Sequence, residues 1–312
     1  RRPPRSTLFP STTLFRSRGL RKAACCNLSE SFQANPSVDV EYTDALTGAK
    51  QIQLLGLAGV YSQMLTQKIP NIRGLASTFG MNYIPGPWME SIQISKGAAS
   101  VATGFESITG QINVEYKKPE TSELIFANLF TGIEGRFEGN FNSSVELAEG
   151  LGSTLFLHGS MFQNKIDHNH DSFLDEPMYY QINAMNQWVY SQDGIHTMVA
   201  LRGIYEDREG GQVSFFPNQN PDYYGTNVKT ERYEIFGKSG YVLNTESYNS
   251  FAFLYSASSH NQNSFFGKNK YYGKQKSVYG NLIYERRFEF WSDHDHQRSE
   301  ERRVGKECRS RW

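Results

Sequence analysis

IQISKGAASVATGFESITGQINVEYKK, residues 92–118, is the stretch that decides the fold. Both of its ends, for example residues 112–116, alternate apolar and polar side chains, which is typical of strands. Between them stand Gly97, Gly104 and Gly110 together with several small residues. Glycine permits a positive φ or a close backbone approach, so the pattern predicts two strands joined by a tightly wound link that packs against a larger structure.

A set of small and polar residues in and before this stretch forms a motif: Arg73, Gly74, Gly97, Ser100, Gly104, Gly110 and Asn113. Their order resembles the end of the plug domain of TonB-dependent outer-membrane receptors, where the chain leaves the plug and enters the barrel. The resemblance covers roughly residues 28–290. It implies a mixed α+β plug domain over residues 18–120, truncated at its N-terminus. The first strands of a large antiparallel transmembrane β-barrel follow over residues 121–297.

The two chain ends, residues 1–17 and 298–312, are set apart by their codons. Read in opposite directions, they pair as reverse complements, for example Trp312 (TGG) with Pro3 (CCA). Protein function imposes no such complementarity, whereas one DNA element translated in both orientations produces it. We therefore interpret both ends as adapter-derived peptides that have no part in the fold.

The charge balance changes once the two ends are left out. Of 32 basic and 32 acidic residues, 22 basic and 29 acidic ones remain, a net charge near −7. No basic stripe is left, so the composition argues against nucleic acid as a partner. The adjacent Cys25 and Cys26 lack the spacing of metal ligands and form no disulfide framework.

After Pro119 the sequence changes to long alternating segments. We expect about eight strands, at residues 122–131, 135–147, 153–164, 180–191, 195–206, 230–243, 247–259 and 276–290. Many of these segments exceed the ~5–6 residues typical of soluble sheets and match tilted membrane strands. No apolar run approaches the roughly 18–20 residues of a membrane-spanning helix. Long polar connections are expected at 164–180, 206–229 and 261–274, alternating with tight turns, as in transmembrane barrels.

Within the plug, residues 28–42 are expected to form a strand, with further short strands at 51–56 and 60–65. Arg73 is expected to pair with a carboxylate of the barrel wall. The reason is that an arginine facing an acidic lumen needs a partner of opposite charge.

One loop, residues 167–175, is a candidate metal site. Asp167, Asn169 and Asp171 place oxygen-bearing side chains at alternate positions. Asp175 adds another, four residues further on. They resemble the front of a calcium loop, although Ser172 and Met178 replace the usual glycine and closing glutamate. Three interpretations stay open: a Ca²⁺ site, a soft-metal or haem contact through His168 and His170, and a solvated loop. The sequence calls for no other cofactor.

The resemblance implies a receptor in the outer membrane of a Gram-negative bacterium that takes up a scarce solute such as cobalamin, siderophore-iron or another metal complex. Its implied partners are outer-membrane lipid, the TonB complex and the solute, and no enzyme activity is implied. Residues 27–57 and 85–90 resemble receptors of Bacteroides-like bacteria, often of the cobalamin or metal-complex group. Two alternatives stay open. A passive porin or surface-binding barrel would lack a plug, and a secreted β-rich hydrolase would need paired catalytic carboxylates.

Overall fold

The computed structural model describes residues 12–16, 27–33, 38–98, 106–216, 218–244, 249–285, 287–289 and 295–297. Six residues named above lie outside these ranges: Pro3, Cys25, Cys26, Ser100, Gly104 and Trp312. The described chain forms two parts that pack against each other, an N-terminal unit made by residues 27–118 and a large sheet made by residues 125–285.

Short strands, a helix and turns make up the N-terminal unit. Its elements, with one preceding strand, are β1 (Thr12–Arg16), α1 (Leu28–Gln33), β2 (Asp39–Asp44), β3 (Ala49–Gln53), β4 (Ser62–Thr66), β5 (Ile69–Pro70), β6 (Met89–Lys96) and β7 (Gly110–Tyr116). Strands β2 and β3 form a hairpin. The others form a mixed sheet in the order β1-β6-β7-β4-β5, in which β4 and β7 are parallel.

Helix α1 lies where the sequence predicts the beginning of a strand. Asn27 Oδ1 accepts a hydrogen bond from the backbone N–H of Glu30 at 3.1 Å, and Asn27 Nδ2 donates to Glu30 Oε1 at 3.2 Å. The first contact makes Asn27 the N-cap of α1, which stabilises the first turn of a helix, and the second joins the two side chains. The expected strand over residues 28–42 is therefore wrong at its beginning, because β2 starts only at Asp39.

Strand β1 lies inside the segment interpreted as adapter-derived. It pairs antiparallel with β6, with Phe15 opposite Ile92. The outer edge of β6 offers backbone N–H and C=O groups that a short alternating segment can pair with. Because that interpretation rests on codon complementarity, it stays a prediction.

The large sheet is an antiparallel meander. Its strands are β8 (Ile125–Thr131), β9 (Phe137–Ala148), β10 (Leu151–Phe162), β11 (Met178–Gln192), β12 (Ile195–Gly211), β13 (Gly225–Asn244), β14 (Asn249–Phe266) and β15 (Asn269–Glu285). The eight strands expected from the sequence are confirmed. Their spatial order follows the chain from β8 to β15, and these two edge strands do not pair with each other within the described ranges. A short hairpin of β16 (Arg287–Glu289) and β17 (Asp295–Gln297) follows. In the described part of the chain, no helix has the length and apolar character needed to cross a membrane.

The connections lie at two ends of the large sheet. At one end Asp193 and Gly194 form a tight turn, with φ values of 52° and 77°. Two successive positive φ values are typical of the hairpin turn whose twist matches its strands. The opposite end, called here the long-connection end, has the connections 163–177 and 212–224.

Two of the predicted loops are shorter than expected. Strands β14 and β15 continue to a two-residue turn, so the loop predicted at residues 261–274 is wrong. The loop predicted at residues 206–229 shrinks to 212–224 for the same reason. In both places polar side chains on continuing strands were interpreted as loop, because a strand that extends beyond an apolar band loses its apolar alternation.

The two faces of the large sheet have opposite character. The face away from the N-terminal unit, the outward face, exposes large apolar side chains: Leu129, Phe141, Leu157, Ile182, Leu201, Ile235, Phe253, Val278 and Leu282. The face against the N-terminal unit buries many polar ones: Glu138, Asn142, His158, Gln181, Asn183, Gln187, Arg202, Glu206, Arg232, Glu234 and His260. A water-soluble sheet normally has the reverse arrangement. Apolar side chains outside and polar ones inside are typical of transmembrane barrels.

An aromatic cluster joins the two parts. Trp88 of the N-terminal unit is fully buried, with its ring centroid 5.4 Å from that of Phe156 on β10. Tyr116 lies 6.3 Å from Phe236 on β13 by the same measure. Aromatic pairs at these separations add to the stability gained from burial alone.

Candidate functional site

The described motif residues around β6 and β7 have clear structural roles. Gly97 has a φ of +92°, which favours glycine. A Cβ on Gly110 would lie 2.6 Å from the carbonyl oxygen of Ser95, so no larger residue fits there without a shift. Asn113 Oδ1 accepts a hydrogen bond from the backbone N–H of Lys68 at 2.7 Å and so fixes the turn between β4 and β5. The roles predicted for Ser100 and Gly104 lie outside the described residues.

Arg73 and Gly74 lie where the N-terminal unit approaches β15. The Arg73 guanidinium pairs with Glu106 at 2.6 Å, and both residues belong to the N-terminal unit. The expected pair with a carboxylate of the large sheet is therefore wrong. Gly74 has a φ of +58°, and a Cβ there would overlap the side chain of Gln275. Gln275 Oε1 also accepts a hydrogen bond from the backbone N–H of Leu75 at 2.8 Å, so this step of the motif contacts the sheet through backbone.

Three charged side chains of the large sheet form a buried charge cluster: Arg202 on β12, and Arg232 and Glu234 on β13. Arg202 Nε donates to Glu234 Oε2 at 2.6 Å, and Arg232 Nε donates to Glu234 Oε1 at 2.6 Å. None of the three side chains is more than 5% exposed. Buried charges are tolerated when they are paired and hydrogen-bonded. Here Glu234 uses both of its oxygens within the sheet.

The charge cluster reaches the N-terminal unit through neutral groups. Arg202 Nη1 donates to the hydroxyl of Tyr116 at 2.7 Å. Arg232 Nη2 donates to the carbonyl oxygen and the side-chain oxygen of Asn71 at 3.3 and 3.2 Å. Burial raises the pKa of Tyr116, against the opposing effect of Arg202, so the hydroxyl stays neutral at physiological pH.

A second set of contacts, the amide row, consists of side-chain amides on β9 and β11 that donate to backbone carbonyls of the N-terminal unit. The pairs are Gln181 to Asn82 at 3.1 Å, Asn183 to Tyr83 at 3.3 Å, Gln187 to Lys117 at 3.2 Å and Asn142 to Pro87 at 3.4 Å. Each such neutral hydrogen bond contributes only about 0.5–1.5 kcal/mol net. The amide row therefore spreads the attachment over several weak contacts.

Near the long-connection end, a cavity of about 370 Å³ lies between the N-terminal unit and the large sheet. Its lining combines charged and aromatic side chains from both parts: Tyr42, Lys50, Arg136, Glu176, Tyr179 and Arg208. Arg136 pairs with Glu30 of α1 at 2.7 Å, so an ion pair joins the two parts at this cavity. The guanidinium of Arg208 lies 5.0 Å from the ring centroid of Tyr179. A cavity with hydrogen-bonding, charged and aromatic walls is suited to a polar organic solute.

The two long connections fold against each other, and residues 175–177 of the first also line this cavity. Val213 N donates to Ser172 O, and Leu174 N donates to Gly211 O at the end of β12, each at 2.9 Å. A small apolar cluster lies beneath: Leu174, Met178, Phe215 and Phe216. The connections thus form one folded cap.

The predicted Ca²⁺ loop belongs to this cap. Asp167 accepts hydrogen bonds from the backbone N–H groups of Asp171 at 3.1 Å and Ser172 at 3.0 Å. Asp175 accepts one from the backbone N–H of His168 at 2.7 Å. Within the described residues, no group of three or more His, Cys, Asp or Glu side chains is placed to hold a metal ion. The Ca²⁺ ligands Asp167, Asn169, Asp171 and Asp175 stay a prediction.

Comparison with known proteins bears on the fold. No family model matches the chain. It is 22% identical over 147 residues to the vitamin B12 transporter BtuB of Vibrio vulnificus. The aligned region covers 47% of this chain and 24% of that protein. The siderophore receptor PiuA of Acinetobacter baumannii matches with a TM-score of 0.67 at 13% identity, over 90% of this chain and 43% of that one. Pseudomonas aeruginosa FpvA bound to pyoverdines matches with a TM-score of 0.69 at 15% identity, and the match covers 94% of this chain and 41% of that one.

The chain has the fold of TonB-dependent outer-membrane receptors. It spans less than half the length of each of these similar proteins. They are outer-membrane receptors of Gram-negative bacteria, in agreement with the location predicted from the sequence. They are also transport receptors, which fits the prediction that the chain is not an enzyme.

The charge cluster and the amide row were missed by the sequence analysis. The sequence does carry a signal for the charge cluster. The charged residues Arg202, Glu206 and Arg208 alternate along β12 on the face that also carries the buried Ala200 and Ile204. Charged residues at alternate positions of a transmembrane strand face the interior. The partners across the junction have no such signal, because the acceptors of the amide row are backbone carbonyls.

Proposed function

We propose that the chain is the N-terminal part of a TonB-dependent outer-membrane receptor that takes up a scarce solute. In this proposal the N-terminal unit is the plug and the large sheet is the first part of the barrel wall. The observation that supports it most is the opposite character of the two sheet faces. Apolar side chains that face away from the protein are stable against lipid, and polar ones that face inward are satisfied by a plug.

The junction fits a plug that is loosened during each transport cycle. The full charges of Arg202, Arg232 and Glu234 are paired within the wall, so withdrawal of the plug leaves none of these three without its charged partner. The donors of the amide row can turn to water once the plug moves. TonB, acting from the periplasmic side, would then need to break the neutral contacts of the amide row, at about 0.5–1.5 kcal/mol each. It would also need to break the contacts of Arg202 with Tyr116 and of Arg232 with Asn71, at about 1.5–3 kcal/mol each.

The solute class proposed is cobalamin, an iron–siderophore or another metal complex, and the receptor belongs to a Bacteroides-like bacterium. The cavity near the long-connection end is the proposed place of capture, since it is lined in part by the folded cap and has Lys50, Glu176 and Arg208 in its wall. The vitamin B12 transporter and the siderophore receptors among the similar proteins support this class of solute.

An uptake assay tests the proposal. The full-length protein that contains this chain is expressed in a Gram-negative strain without its own cobalamin and siderophore receptors, and labelled cobalamin and ferric siderophores are supplied. We expect uptake of one solute class, abolished by a protonophore and by deletion of TonB. Uptake that persists without energy would instead identify a passive porin.

We also propose that Ca²⁺ binds the loop from Asp167 to Asp175 and stiffens the cap before the solute arrives. Ordering a loop in advance lowers the entropy lost on binding. Solute affinity should then fall with a Ca²⁺ chelator, and an Asp167→Ala, Asp171→Ala double variant should have the same low affinity with or without the chelator. Solute affinity that is unchanged by the chelator and by the double substitution would contradict the Ca²⁺ site and leave the transport proposal intact.

A further inference from the structure

The outward face of the large sheet has a shallow groove of about 650 Å³. The groove is formed by two rows of side chains, and each row crosses β12, β13, β14 and β15 at paired positions. The first row is Gly203, Tyr233, Ser259 and Lys276, and the second is Leu201, Ile235, Ala257 and Val278. The groove exists because Gly203, Ser259 and Ala257 are small, while Tyr233 and Val278 project from the sheet beside them. The exposed fractions of Tyr233 and Val278 are 61% and 87%.

Lysines stand where the groove ends on the side of the long-connection end. Lys276 closes the first row, and Lys274 lies in the next row outward, on the same face of β15. Both are exposed, and neither has a carboxylate within 4.0 Å in the described chain. Glu231 lies in the row of Lys274, but on β13, with Asn261 of β14 between them. Two strand spacings amount to about 10 Å, so this acid does not neutralise the lysines.

The lysines lie at the boundary of an apolar band. Aromatic side chains mark both limits of the outward face: Tyr180, Tyr205 and Tyr233 toward the long-connection end, and Tyr241, Phe251 and Tyr284 toward the other. Tyr233 and Tyr241 are eight residues apart on β13, about 26 Å of extended strand. At a tilt of about 40° this length spans about 20 Å of the membrane normal. The row of Tyr205, Glu231 and Lys274 lies two residues further out, about 25 Å from Tyr241 along the normal, which is the height of the apolar band of transmembrane barrels. Lipid headgroups would therefore lie at the level of Lys274 and Lys276.

We propose that this groove binds a phosphate-bearing lipid of the outer leaflet. An acyl chain lies along the apolar floor formed by Leu201, Ile235 and Ala257, and the phosphate is held by Lys274 and Lys276. Lysine ammonium groups bind phosphate as point charges, and each lysine near a membrane surface strengthens binding of anionic lipid severalfold. The inference rests on the proposed function only for the direction in which the sheet crosses the membrane.

Lipid binding to the full-length protein in detergent tests the groove without a variant. The probes are lipid A with two phosphates and the same lipid after removal of both phosphates, and bound lipid is counted by native mass spectrometry. We expect the phosphorylated form to bind at least about tenfold more tightly. Equal binding of the two forms, or displacement of the lipid by inorganic phosphate at equal concentration, would overturn the proposal.

Variants locate the site. A Lys274→Gln, Lys276→Gln double variant should lose the preference for the phosphorylated lipid, whereas Lys268→Gln, Lys270→Gln at the hairpin tip, with the same change in charge, should keep it. Ala257→Phe fills the groove and should weaken binding of both lipid forms. Equal loss in the tip control, or no effect of Ala257→Phe, would overturn the assignment.

Solute uptake by the same variants separates the two proposals. Lipid preference in a protein that takes up no solute would support the groove and contradict the proposed transport function. Uptake with no lipid preference would overturn the groove alone.

Discussion

The charge cluster and the amide row contact the same N-terminal unit in opposite ways. In the charge cluster of Arg202, Arg232 and Glu234, full charges neutralise one another within the sheet, and the contacts with the N-terminal unit go to a hydroxyl and to the oxygens of one asparagine. In the amide row no charge is present, and every donor reaches a backbone carbonyl of the other part. One region stabilises the large sheet and the other attaches the N-terminal unit to it.

The difference shows how a junction can be stable and still separable. A buried charge that loses its partner costs about 3–5 kcal/mol, whereas a neutral hydrogen bond exchanged for water costs about 0.5–1.5 kcal/mol. Keeping the strong pairs within one part therefore lowers the barrier to separation. Arg136 and Glu30 form an ion pair that does cross the junction. They are partly exposed and lie at the cavity, so this ion pair is less costly to break than a buried one.

The largest effect is expected from Glu234→Gln. This change keeps the shape of the side chain but leaves Arg202 and Arg232 buried without a counter-charge, so the protein should lose about 3–5 kcal/mol of stability. Denaturation of the full-length protein in detergent measures it. The matched control is Glu231→Gln, an exposed glutamate on the opposite face of β13, which should change stability by less than about 0.5 kcal/mol. Equal losses in both variants would mean that the charge cluster does not stabilise the large sheet.

A smaller effect is expected from Asn183→Leu in the amide row. The substitution removes the donor to the carbonyl oxygen of Tyr83 and leaves that buried acceptor without a partner, at a cost of about 1–3 kcal/mol. The same change at the exposed Asn263 is the control. The variant should also expose residues 82–87 to hydrogen exchange sooner than β12. Slower or unchanged exchange at residues 82–87 would contradict the role of the amide row in attachment.

How far the sequence predicts this molecule depends on the kind of signal. The eight strands are predicted by the alternation of apolar and polar side chains, because the polarity of each side chain indicates the sheet face on which it lies. Glycine requirements at Gly97 and Gly110 follow from the residue type. Asn27 is a residue type that favours the N-cap, so the sequence carried a signal for α1, and without it the start of β2 was misplaced.

The remaining features depend on distant residues. The partner of Arg73 is Glu106, which the sequence cannot distinguish from the many carboxylates of the predicted wall. The groove on the outward face depends on the register of four strands, and a slip of one residue would move Gly203 and Lys276 to opposite faces. The lengths of the connections were overestimated, because polar residues above an apolar band look alike in strands and loops.

The effect expected from Tyr116→Phe is identified by its pH dependence. The variant removes the hydroxyl that accepts from Arg202 while the charge cluster stays paired, so the loss should be about 1.5–3 kcal/mol at pH 8, the size of a hydrogen bond from a charged donor. Burial raises the pKa of Tyr116, so the folded protein keeps this proton at a pH where the unfolded chain releases it. The stability linked to Tyr116 is thus fully present below pH ~10, the unfolded pKa, and is lost as the pH rises toward the folded value. Phenylalanine does not titrate, and burial raises the pKa of Tyr83 in both proteins alike. The advantage of the wild type over the variant should therefore shrink as the pH rises above about 10, measured by denaturation midpoints. An advantage that stays constant would mean that the hydroxyl of Tyr116 ionises equally well in the folded and unfolded protein. In that case the contact between the charge cluster and the N-terminal unit would be open to water.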